Sequence, residues 1–199
     1  MIDTLLQLDT ELLISARGLI SPTYAPLIQL TGESIVFFVG IFLIILWLYG
    51  VYKRDNIYKI VALQIFSTII LTFIVYTLIN FGIEKWRPSP QEVVWGLPPL
   101  IPHPLDNSFP SWHALFTAAF LIGCIHFFKN WWIITFTLLF GIITAVSRVI
   151  WGVHYPGDII GGWILGGIWA TLMSYLINTS FFRVHIFAHI VRIASFFRL

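Results

Sequence analysis

The sequence predicts an all-α fold: a polytopic transmembrane bundle of five spans, with interfacial helices at its N- and C-terminal ends. Three observations lead there. Mean hydropathy is +0.89 and only 10% of residues are charged, a balance that would leave a soluble domain covered in apolar surface. Five apolar stretches approach the roughly 20 residues needed to carry a helix across about 30 Å of hydrocarbon, where each backbone amide must be satisfied within its own segment. Polar and charged residues collect in the connections between those stretches.

Taken in order, residues Met1 to Leu19 are modestly apolar, carry acids and end at Ser21-Pro22. An interfacial or re-entrant helix suits them better than a span. The spans then run from Ile35 to Val51, Ile60 to Ile83, Trp112 to Phe128, Trp131 to Val146 and Ile159 to Ile177. In the tail, His185, His189 and Arg192 share one helical face and Phe182, Ile186 and Ile190 lie elsewhere, as in a helix on the membrane surface. Residues 1–199 read as one domain with a motif-bearing core at about 80–158. The N-terminus lacks the basic and apolar regions of a secretory signal, so the whole chain is expected to be mature.

A net charge of +2 without a dense basic run gives no reason to expect a nucleic-acid partner. Cys124, the single cysteine, allows neither an intrachain disulfide nor a thiolate metal cluster and reads as a small core residue. Lys53, Arg54 and Lys59 mark the first inter-span connection as cytoplasmic, and Lys129, Arg183, Arg192 and Arg198 fall on the same side. That alternation leaves Glu84 to Ser111 and Ser147 to Asp158 outside.

Those two outer connections hold the chemistry. The first opens with Lys85-Trp86-Arg87-Pro88 and closes with Pro110-Ser111-Trp112-His113; the second contains Ser147-Arg148, His154 and Asp158. Each residue has a structural reading of its own. Ser111 and Asp158 are positioned as helix caps, Arg148 can snorkel to head groups and His154 can be an interfacial histidine. Two arginines, two histidines, a carboxylate and two serines at one membrane level are harder to explain as caps and anchors, because ionisable residues near a bilayer are costly.

Fixed cations and helix N-termini suit an oxyanion such as phosphate. An imidazole whose other nitrogen is held by a carboxylate can attack phosphorus, and His154 with Asp158 offers that pair. His113, with an ordinary pKa of about 6.5, offers a proton for the departing oxygen. Arg87, Arg148 and amides at the Ser111 helix start would stabilise the transferring phosphoryl group without a metal or other cofactor. A metal site is the competing reading of two histidines and an aspartate, but two adjacent arginines would repel a cation.

These residues resemble the signature of the type 2 phosphatidic acid phosphatase superfamily. Pro-Ser-x-His corresponds to Pro110-Ser111-Trp112-His113, and Ser-Arg-x5-His-x3-Asp to Ser147-Arg148, His154 and Asp158. The first part, Lys-x6-Arg-Pro, is incomplete: Arg87-Pro88 is present, Asn80 stands at the lysine position, and Lys85 is out of register. The resemblance implies His154 as nucleophile through a phosphohistidine, Asp158 as its partner and His113 as acid. Arg87, Ser111, Trp112, Ser147 and Arg148 become the phosphate-binding set, with Lys85 and His103 as further candidates. Trp112 replaces the usual aspartate or glycine and bears on head-group specificity.

Leu100-Ile101-Pro102-His103, followed by Asp106, Ser108, Phe109 and Pro110, looks like the bacterial undecaprenyl-diphosphate phosphatases, many of which also lack the first-motif lysine. That branch implies a polyprenyl diphosphate substrate, a cytoplasmic-membrane location and a site facing the periplasm or exterior. The alternatives are a phosphatase for phosphatidic acid, phosphatidylglycerol phosphate or lipid A, a lipid phosphotransferase, or a non-catalytic lipid-phosphate binder or transporter. A transporter would be expected to break helices at mid-membrane, whereas here the charges lie at helix ends. Gly161-Gly162 and Gly166-Gly167 read as close helix packing.

Overall fold

The computed structural model describes residues 2–19, 21–88 and 106–196, and their regular structure is helical apart from an isolated antiparallel bridge between Trp86 and Asn107. Helix α1 covers Ile2–Gly18 and a 3-10 turn, Pro22–Tyr24, leads into α2, Ala25–Lys53. Then follow α3, Asn56–Gly82, α4, Trp112–Gly123, and α5, Trp131–Trp151. Helix α6 is Pro156–Ile177 and α7 is Ala188–Phe196. Two π-helical stretches are interposed, Cys124–Phe128 after α4 and Phe181–Phe187 before α7.

Local chemistry sets the helix ends. Asp55 accepts a hydrogen bond from the Ile57 amide at 2.9 Å, starting α3, and Asn130 does the same for Ile133 at 3.1 Å, starting α5. Helix α2 stops where Arg54 turns left-handed, and α5 stops at Gly152, whose φ of +83° suits glycine. Pro156 occupies the first turn of α6, where its missing amide proton costs nothing.

Four helices, Pro26–Lys53, Asn56–Gly82, Trp131–Trp151 and Pro156–Ile177, are long and apolar enough to cross a membrane. Trp112–Phe128, expected as the third of five spans, has 17 residues and is shorter than these. It sits at the centre of the bundle with Ala114, Leu115, Ala118, Ala119 and Phe120 buried. A helix sheathed by its neighbours has less need to match the bilayer thickness.

Two other boundaries differ from the hydropathy reading. Helix α2 begins ten residues before Ile35 and takes Glu33 into the helix, where Arg148 neutralises it at 3.1 Å. The connection expected from Ser147 to Asp158 is mostly helix: Ser147 to Trp151 finish α5 and Pro156 to Asp158 begin α6. Only Gly152 to Tyr155 form the true loop, which fixes Arg148, His154 and Asp158 far more rigidly than a twelve-residue loop would.

The helices alternate in direction. Gln64 meets Asn178 and Thr68 meets Ser174 at one end of the bundle, while Asn80 reaches Phe109 at the other. The main core joins Ile35, Val39, Leu46, Ile65, Phe120 and the buried Cys124. In the tail, Phe187 and Val191 turn inward, leaving His185, His189 and Arg192 exposed.

Close packing of α4 on α6 is made possible by glycine. A Cβ at Gly162 would lie 2.7 Å from the Ser111 carbonyl oxygen, and one at Gly166 would lie 2.8 Å from that of Leu115. At Gly167 nothing lies within 4 Å. The two N-termini are thereby brought together, and the Ser111 amide donates to the Asp158 carbonyl at 3.0 Å.

Candidate active site

Five segments converge at this end of the bundle: α1, residues 83–88, the start of α4, the end of α5, and the loop from Gly152 into α6. Helix α1, read as interfacial, packs on α5 and α6 and contributes directly. The start of α4 is tied to residues 83–88 by backbone pairing. Ser108 donates its amide to the Lys85 carbonyl at 2.6 Å and its hydroxyl to the same oxygen at 3.0 Å. Asn80 donates to the Phe109 carbonyl at 3.0 Å, and Asn107 donates to the Asn80 carbonyl at 2.8 Å. Asn80, at the place of the motif lysine, therefore spends its side chain on the loop backbone.

His154 is 1% exposed. Its Nε2 lies 3.1 Å from Nη1 of Arg87. A guanidinium only donates, so Nε2 accepts and the remaining ring proton belongs on Nδ1. That nitrogen points to Asp158 Oδ2 at 3.6 Å, slightly beyond hydrogen-bond length. Burial pushes the His154 imidazole down to about 4; Asp158 opposes the shift, while Arg87 and Arg148 add to it. The ring is thus neutral near pH 7, with a lone pair on Nε2.

Asp158 is fully buried and triply engaged. Its Oδ2 accepts the Tyr155 amide at 2.9 Å, and its Oδ1 receives Lys85 Nζ at 2.7 Å. Lys85 also reaches Asp9 of α1 at 2.8 Å and lies over the Tyr155 ring, 4.7 Å from its centroid. Burial alone would lower the Lys85 ammonium, but the carboxylates of Asp158 and Asp9 hold it above its ordinary value.

The arginines approach from opposite sides. Arg87 pairs with Asp106 and donates to the Val153 carbonyl at 3.2 Å. Arg148 pairs with Glu33 and lies over Trp151, 4.2 Å from the ring centroid. Gly32 makes room for it, since a Cβ there would lie 3.0 Å from Arg148 Nη1.

Ser111 stands at the N-cap position of α4 without capping it. Its buried hydroxyl and both ring nitrogens of the buried His113 have no hydrogen-bond partner among the described residues. The Trp112 ring lies against that of His113, with centroids 3.6 Å apart and the planes tilted by 34°. Ser147 donates its hydroxyl to the Thr144 carbonyl at 2.7 Å, so its proton is directed along its own helix. His103 lies outside the described residues.

Sequence reasoning missed Asp9, Glu33 and the destination of Lys85. The signal available was clear for Glu33, a lone carboxylate in the apolar α2 and a costly placement that calls for a cation, and weak for Asp9, one of three acids in α1. Which cation answers it is decided by tertiary contacts.

This arrangement sets a neutral imidazole, unprotonated at Nε2, beside cations suited to an oxyanion. The chain is 30% identical over 148 residues to the bacitracin transport permease protein BcrC of Bacillus licheniformis, covering 71% of this chain and 66% of that protein. It is 35% identical over 82 residues to the undecaprenyl-diphosphatase of Sulfolobus acidocaldarius, covering 41% and 38%. It is 28% identical over 185 residues to the lipid A 4'-phosphatase of Bacteroides thetaiotaomicron, covering 88% and 80%. The chain thus spans less than two thirds of the length of the first two. No solved structure matches. Residues 61–182, more than half of the chain and including Arg87, His113, Arg148, His154 and Asp158, match the PAP2 superfamily, and the chain belongs to that superfamily.

Proposed function

We propose that this protein hydrolyses a lipid phosphate or diphosphate by metal-independent histidine catalysis, with undecaprenyl diphosphate as the preferred substrate. The observation that carries the reading is the approach of Arg87 to Nε2 of His154 at 3.1 Å. A phosphoryl oxygen that takes over this guanidinium N–H releases the Nε2 lone pair and brings its own phosphorus to it.

Nε2 attacks phosphorus as the bond to the leaving oxygen breaks, and Asp158 stabilises the positive charge on the ring through Nδ1–H. His113, entering as the imidazolium beside the charge of the bound phosphate, delivers its proton to the leaving oxygen. It then takes one from the water that cleaves the phosphohistidine, releasing phosphate and restoring both histidines. Arg87, Arg148 and Ser111 hold the equatorial oxygens throughout. Ser147, Trp112 and His103 complete the head-group site.

Counting Trp112–Phe128 as a fifth span and taking the Lys53, Arg54, Lys59 and Lys129 connections as cytoplasmic, the reading has the site at the outer face of the cytoplasmic membrane and the product a carrier lipid ready for reuse in cell-wall polymer assembly. The undecaprenyl reading draws on the stretch from Leu100 to Pro110 and on the name of the Sulfolobus relative. A second reading, a lipid A phosphate as substrate, draws on the lipid A 4'-phosphatase relative, which is matched over 80% of its length.

The test is phosphate release by the detergent-purified protein with EDTA present, from undecaprenyl diphosphate, lipid A and phosphatidic acid, beside His154→Ala. Release by the parent and its loss in the variant support histidine catalysis, and the ratio among the lipids selects the substrate. A folded parent that releases phosphate from none of them ends the reading. Labelling of Glu84→Cys in a Cys124→Ala background only from the cytoplasmic side would reverse the orientation.

A further inference from the structure

We propose that Asp9 and Lys85 are positioning residues that lock the Asp158–His154 pair, making α1 a working part of the catalytic site; the inference rests on the catalytic reading above. Asp158 carries its charge at zero exposure, where an uncompensated carboxylate is costly. Arg87 is engaged by Asp106 and His154, and Arg148 by Glu33. Lys85 is in contact with Asp158, at 2.7 Å.

The contact has a direction. Lys85 binds Oδ1, whereas Oδ2 takes the Tyr155 amide and faces His154 Nδ1. The ammonium therefore sits behind the carboxylate and away from the nucleophilic nitrogen. It fixes which oxygen faces the ring and does not lie where phosphate would bind.

Asp9 holds the lysine in place. Its Oδ2 accepts from Lys85 Nζ at 2.8 Å, and its Oδ1 accepts the Gly157 amide at 2.6 Å. That amide belongs to the first turn of α6, where donors lack partners within the helix. A Cβ at Gly157 would lie 2.9 Å from Asp9 Oδ2, so glycine is what admits the carboxylate. One side chain of α1 thus caps α6 in trans and anchors Lys85. A contact chain results: Asp9, Lys85, Asp158, His154. About two turns further along, α1 lays Arg17 against Gly152, where a Cβ would meet Arg17 Nη1 at 3.1 Å.

Removing the Lys85 charge leaves Asp158 to face His154, with Asp9 behind it, without that ammonium. The carboxylate then protonates more readily and stops holding the Nδ1–H tautomer. The acid limb of kcat against pH moves up, and kcat falls while substrate affinity is spared.

The experiment measures kcat and KM against pH for the full-length protein in detergent with undecaprenyl diphosphate, comparing Lys85→Met, Lys85→Arg, Asp9→Asn and Asp9→Glu. Lys85→Met is expected to lose about ten- to a hundredfold in kcat with KM little changed. Its acid limb should rise, Lys85→Arg should recover most of the rate, and Asp9→Asn should shift both quantities in the same direction. A raised KM at unchanged kcat would make Lys85 a substrate contact and overturn the proposal, as would variants indistinguishable from the parent. A substrate-independent readout separates this from the functional reading. The 15N signals of the His154 ring, assigned by their loss in His154→Gln, should move in Lys85→Met and Asp9→Asn. Unmoved signals refute the positioning role even if the parent proves inactive on every lipid.

Discussion

Nη1 of Arg87 and Nε2 of His154 lie 3.1 Å apart, and because the guanidinium can only donate, the imidazole between Arg87 and Asp158 is held in a single tautomer. Arg87 therefore orients the Nε2 lone pair of His154, and under the proposed function it also binds the phosphate. Replacement by alanine is expected to lower kcat/KM by about 100- to 1,000-fold, the usual cost of removing one such donor. Lysine should restore little, since a point ammonium cannot serve Asp106, the Val153 carbonyl and His154 together. Phosphate-release kinetics on both variants check this, and full rescue by lysine would count against it.

The pH dependence follows from His154. Its folded value is depressed from 6.5 to about 4, so folding favours the neutral ring. The stability this contributes is complete above 6.5 and is lost as pH falls from 6.5 towards 4. Thermal unfolding in detergent should show that slope, and His154→Gln should flatten it. Activity limited by the neutral nucleophile should persist below pH 6.5 rather than halve there.

Glu33 tests the electrostatics from the other direction. Its carboxylate is half-exposed and occupies the Arg148 guanidinium at 3.1 Å, where it competes with phosphate. Exposed pairs contribute at most about 1 kcal/mol, so Glu33→Gln should tighten inhibition by orthophosphate up to about fivefold. Weaker inhibition would mean that Glu33 aims the arginine instead of competing for it.

Glycine substitutions along α6 should divide sharply. Gly162→Ala puts a Cβ 2.7 Å from the Ser111 carbonyl and must push α4 away, at a cost of about 1–3 kcal/mol and with His113 displaced. Gly167→Ala meets nothing and should be neutral or stabilising by about 0.4–1 kcal/mol. Unfolding midpoints and phosphate release on the two variants decide the matter; equal behaviour would deny the close contact.

Much was legible in the chain itself. Hydropathy marks the apolar helices because a bilayer demands long uninterrupted apolar runs, and motif spacing singles out Arg87, Ser111, His113, Arg148, His154 and Asp158 because chemistry on phosphate demands those groups. What spacing could not supply was the pairing of charges far apart in sequence. Lys85, out of register with the motif, turns to Asp158 and Asp9, while Asn80, in register, turns to the loop backbone. Ser147 to Trp151 read as loop because Ser147 and Arg148 interrupt the apolar run, and Pro156 to Asp158 because of their proline, glycine and acid, yet both are helix ends. Composition and spacing are local properties and determine which elements form and which chemistry is on offer. Which carboxylate meets which cation depends on how closely α4 packs on α6 and where α1 lies, and only the tertiary structure decides that.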